Sequence, residues 1–244
     1  MQPQSSNDIV QPSMPVEQTA RNKNVWVAYA QWIAIITMTL EHSFHYLWPD
    51  SPLAPWTQTA GRTAFPLFAA LIAWHLVHNT RRPYIYGLRV LVLAAISQIP
   101  YFFVMDNGKL NVCFTLALGL LAFATVDRID KGALKLLAAG GMLLLALAVN
   151  PYFEYKLWGL LLVPAFAFGF RYRDQLISLV PALTICALIN HAQISILISF
   201  LTGCAVFAVS QANLDRAPIP GIPRWLRQSW YPLHLGVIGL VVAF

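Results

Sequence analysis

Charge is what this chain has least of. Ten Asp and Glu and sixteen Lys and Arg carry all of it in 244 residues, and the 11% total is well below the soluble average of about 25%. With 58% hydrophobic residues, a soluble domain of this length could not hide its apolar surface, whereas a helical bundle in lipid has no need to. Cysteine is scarce too: Cys113, Cys186 and Cys204 fall at scattered positions inside apolar runs, without metal-ligand spacing. That argues against a disulfide framework or a metal site and for small packing residues. No G-x-S-x-G, P-loop, H-E-x-x-H or dinucleotide fingerprint occurs, so the standard soluble hydrolase and nucleotide motifs are missing. No basic stretch leads straight into a cleavable apolar segment, and no signal peptide is expected. Residues 1–24, rich in Gln, Ser and Asn with Pro3, Pro12 and Pro15, read as a disordered cytoplasmic tail.

What is present is a spacing. The runs free of Asp, Glu, Lys and Arg are 24–40, 63–80, 90–105, 110–126, 136–153, 157–170, 175–214 and 228–244. With polar flanks added, most approach the ~20 residues that cross a hydrocarbon core of about 30 Å. The run 175–214 is twice as long and is broken by Asn190-His191-Ala192-Gln193, which reads as a turn between two spans. The expectation is an all-α, polytopic bundle of about nine transmembrane helices, with 25–244 as a single integral membrane domain.

Basic residues orient it. With the N-terminus in the cytoplasm, inner segments hold Arg21, Lys23, Arg81, Arg82, Arg89, Arg128, Lys131, Lys135, Arg171, Arg173, Arg216, Arg224 and Arg227. Outer segments hold only Arg62, Lys109 and Lys156. The expected topology is therefore N-terminus cytoplasmic, C-terminus periplasmic. The net charge of +6 calls for no nucleic-acid partner, because these residues meet anionic inner-leaflet lipids.

Ionisable groups within a span are a functional hypothesis by default. Glu41 and His42 end the first helix, roughly 24 Å from Val25 at 1.5 Å per residue. His45 lies one turn beyond Glu41 on the same face, so the two could pair. The plainer alternative is three wetted interfacial residues with Trp48 as aromatic anchor. Arg62 opens the second helix across a short outer loop. It either clamps Glu41 or stabilises developing negative charge. Pro66 kinks or begins that helix, and Gly61 admits close approach of another backbone. At the inner face Arg81, Arg82 and Arg89 suit the phosphates of a nucleotide-derived cofactor, or serve as topology determinants touching lipid headgroups. Gln98 and Asn111 read as interhelical hydrogen-bond residues. His234 lies about five residues inside the last helix, where an apolar residue would cost less.

Taken in order, Met38-Thr39-Leu40-Glu41-His42, Gly61-Arg62-Thr63-Ala64-Phe65-Pro66-Leu67-Phe68, Ser97-Gln98-Ile99-Pro100, Leu110-Asn111-Val112-Cys113-Phe114 and Tyr231 through Leu235 resemble the TraX family. These are membrane proteins linked to F-type conjugative pili. The resemblance covers most of the chain, with a weaker middle third. It implies acetyl transfer from acetyl-CoA to the N-terminal amine of pilin in the bacterial inner membrane. Family members usually show Asp-His where this chain has Glu41-His42; glutamate keeps the charge and adds one methylene. Wider kinship to membrane acyltransferases that modify sugars supports the reaction class.

On that resemblance His42, oriented by Glu41 or an acid nearby, is the candidate base and Arg62 the oxyanion stabiliser. Arg81, Arg82 and Arg89 anchor the acetyl-CoA phosphates, Gln98, Asn111 and Tyr231 support, and pilin arrives sideways through lipid. Depth measured from flanking charges puts His42 near the outer boundary and His234 near the inner one. The two are expected apart, with His234 on the cofactor path. The competing readings are a membrane O-acetyltransferase acting on a surface glycan and a non-enzymatic pilus assembly protein or transporter.

Overall fold

The computed structural model describes residues 25–105, 107–212 and 219–243. The tail expected over 1–24 lies outside them, as do Arg21, Lys23 and Arg216. Among the described residues there are ten α-helices and no strand. We number them α1 (Val25–Tyr46), α2 (Ala54–Gly61), α3 (Ala64–Trp74), α4 (Pro83–Met105), α5 (Val112–Asp127), α6 (Gly132–Val149), α7 (Lys156–Arg171), α8 (Val180–Leu188), α9 (Gln193–Gln211) and α10 (Arg224–Ala243). A π-helical turn, His75–Asn79, extends α3, and a 3₁₀ turn, Leu176–Leu179, leads into α8.

Each charge-free run falls on a helix, since in lipid a backbone satisfies its polar groups only within its own helix. The long run 175–214 divides at residues 189–192, between α8 and α9, where the turn was expected. By length and composition four helical segments can cross a membrane: Ala54–Asn79, Pro83–Met105, Gly132–Tyr152 and Gln193–Gln211. The helix α2 is a departure, because the sequence reads its residues as outer loop. Eight residues containing Thr57, Gln58 and Thr59 make no apolar run, yet they pack along the end of α1. Arg62 consequently sits at the break between α2 and α3, and Pro66 falls in the first turn of α3, where its missing N–H costs nothing.

The centre of the bundle is α3, packed against α1, α7 and α9. Trp74 anchors it, edge-on to Trp26 at 5.2 Å and to Phe170 at 5.2 Å between ring centroids. Lateral contact between α5 and α7 depends on Gly119, where a Cβ would stand 2.8 Å from the Leu160 carbonyl oxygen. At the other extreme, α6 has no buried residue and lies at the rim.

Two connections set up the site. Leu110 N donates to Tyr152 O at 2.9 Å, joining the α4–α5 loop to the α6–α7 loop. Phe153 is buried beneath that bridge, and Lys156 turns the chain with φ of +50°, a conformation non-glycine residues rarely adopt.

Candidate active site

The last turns of α1 carry Glu41, His42, His45 and Tyr46, and each finds a different partner. Glu41 lies over Gly61 of α2, where a Cβ would come within 2.6 Å of the Glu41 Cβ and closer still to its carboxylate. The glycine makes room for a side chain rather than for another backbone. Arg62, the next residue, donates from Nη2 to Glu41 Oε1. Its Nε donates to the Gln58 carbonyl at 3.2 Å, and its own carbonyl accepts from Ser199 Oγ at 3.0 Å. Asn190 Nδ2 donates to the same Ser199 hydroxyl at 2.7 Å, so the α8–α9 turn braces the arginine. The Glu41–Arg62 clamp is thus formed. His45 instead meets Gln58 Nε2 at 3.0 Å, and its expected pairing with Glu41 gives way to this contact.

His42 does not rely on Glu41 for its orientation; its partner is His234. His42 Nδ1 and His234 Nε2 are 2.8 Å apart, and His234 Nδ1 lies 2.9 Å from the Trp230 carbonyl. A carbonyl only accepts, so His234 Nδ1 carries the hydrogen and its Nε2 is the acceptor. His42 then donates from Nδ1, and its Nε2 remains as the free basic nitrogen.

The expected separation of His42 and His234 is corrected by this contact, and the reason is the start of α10. Trp32 Nε1 donates to Pro220 O at 3.0 Å, and Trp230 Nε1 donates to Thr39 Oγ1 at 2.8 Å. From Trp32 through Thr39 to His42, the partners advance from Pro220 through Trp230 to His234. The chain before α10 therefore already lies some two turns up α1, and Arg224 and Arg227 do not mark the depth at which α1 begins. The same ladder shows that α1 and α10 run in the same direction. His234 is consequently a neighbour of His42, at the other end of the bundle from Arg81, Arg82 and Arg89, to which a cofactor path had tied it.

These side chains border a cavity of about 180 Å³, lined among others by Glu41, His42, Arg62, Tyr46, Glu154 and Tyr231. Glu154 escapes the sequence reading, which treats it as a charge ending an apolar run. Its signal was the setting Tyr152-Phe153-Glu154-Tyr155, a carboxylate among aromatics. The bridged loop holds it inward, and burial pushes its carboxyl above the ordinary range, opposed by Arg62, by Lys109 and by the Tyr101 hydroxyl.

Gln98 and Asn111 tie α4 to α5. Gln98 Oε1 accepts from Asn111 N and Nδ2, both at 2.9 Å, and Asn111 Oδ1 caps α5 by accepting from Cys113 N at 3.0 Å. Tyr231 is buried one turn before His234 and stands with its ring 5.6 Å from that imidazole. Arg81, Arg82 and Arg89 are exposed around the α3–α4 turn, at the opposite end of those helices from the cavity. Among the described residues no three His, Cys, Asp or Glu side chains group as metal ligands.

No curated relative and no solved structure matches the chain. The family model described as TraX protein does match, over residues 27–242, which takes in all but the outermost residues of α1 and α10 and the whole cavity lining. The chain belongs to the TraX family.

Proposed function

We propose that this chain transfers acetyl from acetyl-CoA to the N-terminal amine of a conjugative pilin, in the bacterial inner membrane. The observation that carries the reading is the His234–His42 pair, which presents one unengaged imidazole nitrogen beside a cavity braced by Glu41 and Arg62. It is joined by membership of a family associated with conjugative pilin processing.

The site's own residues divide the work. An α-amine has a pKa near 8, so about a tenth is free at pH 7 and a modest base suffices. His42 Nε2 takes the proton that leaves nitrogen as the amide forms. Arg62, held still by Glu41, Gln58 and Ser199, faces the negative charge that builds on the acyl oxygen. Acetyl-CoA supplies the activated acetyl group, and its phosphates suit the guanidinium forks of Arg81, Arg82 and Arg89. Along α4, Met105 at the cavity lies roughly 24 Å from Arg89 and roughly 33 Å from Pro83, the residue that follows Arg81 and Arg82. A donor held there reaches the chemistry along the inside of the bundle.

The membrane arrangement belongs to the same proposal. Nine crossings, with α2 and α3 counted as one, put the N-terminus in the cytoplasm and the C-terminus in the periplasm. Support comes from the excess of Lys and Arg on the inner segments and from the parallel course of α1 and α10, which requires an odd number of crossings. The cavity then opens near the periplasmic leaflet, where a pilin helix arrives through lipid.

Mass spectrometry of pilin from cells with and without this chain tests the reading. An acetyl increment on the N-terminal residue is expected only when the chain is present; acetylated pilin without it removes the proposal. Replacing Arg81, Arg82 and Arg89 together by Ala is expected to raise the acetyl-CoA KM by roughly tenfold or more, with kcat little changed. An unchanged KM would leave these arginines as topology determinants.

A further inference from the structure

We infer that Glu154 is the acceptor-recognition residue of this cavity, binding a primary ammonium and making the site selective for amines over hydroxyls. The inference rests on the acetyl-transfer reading for its role in turnover, though not for the binding it asserts. The cavity holds two carboxylates, Glu41 and Glu154, and one guanidinium, Arg62. Glu41 already satisfies Arg62 through the ion pair. No ion pair to Glu154 occurs among the described residues; Arg62 and Lys109 act on its carboxyl only through space.

Charge balance then selects the ligand. A carboxylate buried from water is costly to keep ionised without a counter-ion. An alcohol acceptor brings no charge and leaves that cost in place. An ammonium cancels it and donates the hydrogen bonds a carboxylate accepts. The geometry also leaves two acceptors for the two protons an ammonium must lose. The first passes to the Glu154 carboxylate, giving a free amine and a neutral acid. The amine nitrogen then bonds to the acyl carbon, the carbon–sulfur bond breaks, and the second proton passes to His42 Nε2 and on to the departing thiolate. The products are an N-acetylated chain and a free thiol, and Glu154 returns its proton to water. Recognition by a loop carboxylate also explains why this stretch is held so firmly, by the Leu110–Tyr152 bond and the buried Phe153.

The test uses the full chain in nanodiscs and two probes: an apolar transmembrane peptide with a free α-amine, and the same peptide with an α-hydroxyl in its place. Equilibrium binding is measured for wild type, Glu154→Gln and Glu154→Asp. Wild type is expected to bind the amine peptide at least tenfold tighter than the hydroxyl peptide. Glu154→Gln should erase that preference while keeping the hydroxyl peptide's affinity within twofold, and Glu154→Asp should restore most of it. Equal binding of the two peptides by wild type, or a preference that persists in Glu154→Gln, overturns the inference. Adding acetyl-CoA separates the two readings. Amine-selective binding without acetylated product sinks the acetyl-transfer reading and leaves the ammonium site standing.

Discussion

Supplied with acetyl-CoA and an amine-terminated peptide, the His42→Ala variant is expected to lose acetyl transfer by roughly 10²–10⁴-fold, the range a positioned general base contributes. The loss should fall on kcat, because His42 acts as the nitrogen sheds its proton and does not hold either substrate beforehand. His234 lies one hydrogen bond further back and acts as a positioning residue. Its Nε2 accepts from His42 Nδ1 at 2.8 Å and so keeps the free lone pair of His42 on the other ring nitrogen. Replacing it with Leu removes that acceptor in a buried setting, and a fall of roughly 10–100-fold is expected, the scale seen when an outer partner of a functional imidazole is lost. His234→Gln restores an acceptor oxygen and should recover a good part of the rate. A merely structural His234 predicts otherwise: Leu and Gln would damage kcat and thermal stability alike. Initial rates with both KM values, set beside unfolding midpoints, decide. Full activity in His42→Ala removes it as the base, and a Gln variant no better than Leu removes His234 from its positioning role.

The helices were legible because lipid imposes a simple rule. A charge inside the hydrocarbon is costly, so charges gather at helix ends, and α4, α5, α6, α7 and α9 all end within a few residues of the ends of charge-free runs. The Glu41–Arg62 pair was legible for a related reason: opposite charges facing each other across one short connection have few other partners. The His42–His234 contact was not. Reading depth from charges assumes that every helix starts at the membrane face, and residues 219–223 break that assumption by lying along α1 beside Trp32. Nor could α2 be found by apolar run length, since its role is to carry Gln58, Gly61 and Arg62 across the end of α1. Glu154 was hidden by the very rule that revealed the helices. A charge at the end of a run reads as wetted, and only the bridge between two distant loops turns it inward.

Arg62→Ala should be among the most destabilising single changes in the chain, on the order of 3 kcal/mol, because it strands a carboxylate. The Glu41 side chain is 15% exposed and Arg62 is 30% exposed, so the carboxylate has less recourse to water than the guanidinium. Glu41→Gln should therefore cost less than Arg62→Ala. The double variant Glu41→Gln/Arg62→Ala should cost less than the sum of the two, because the stranded charge is gone. Gly61→Ala offers a third route: its methyl group occupies the place of the Glu41 side chain and pries the pair apart, at about 1–3 kcal/mol for overpacking. Thermal unfolding midpoints in one detergent supply all four comparisons, and additive single and double effects would show that the two charges do not interact. Activity then separates clamp from catalyst. If Arg62 only holds Glu41 in place, the double variant regains rate together with stability. If it also stabilises charge on the acyl oxygen, stability returns while the rate stays roughly 10²–10³-fold down, the cost of losing one such donor. The second pattern is expected, because the Arg62 guanidinium is fixed by the Gln58 carbonyl as well as by Glu41, more restraint than a salt bridge alone would need.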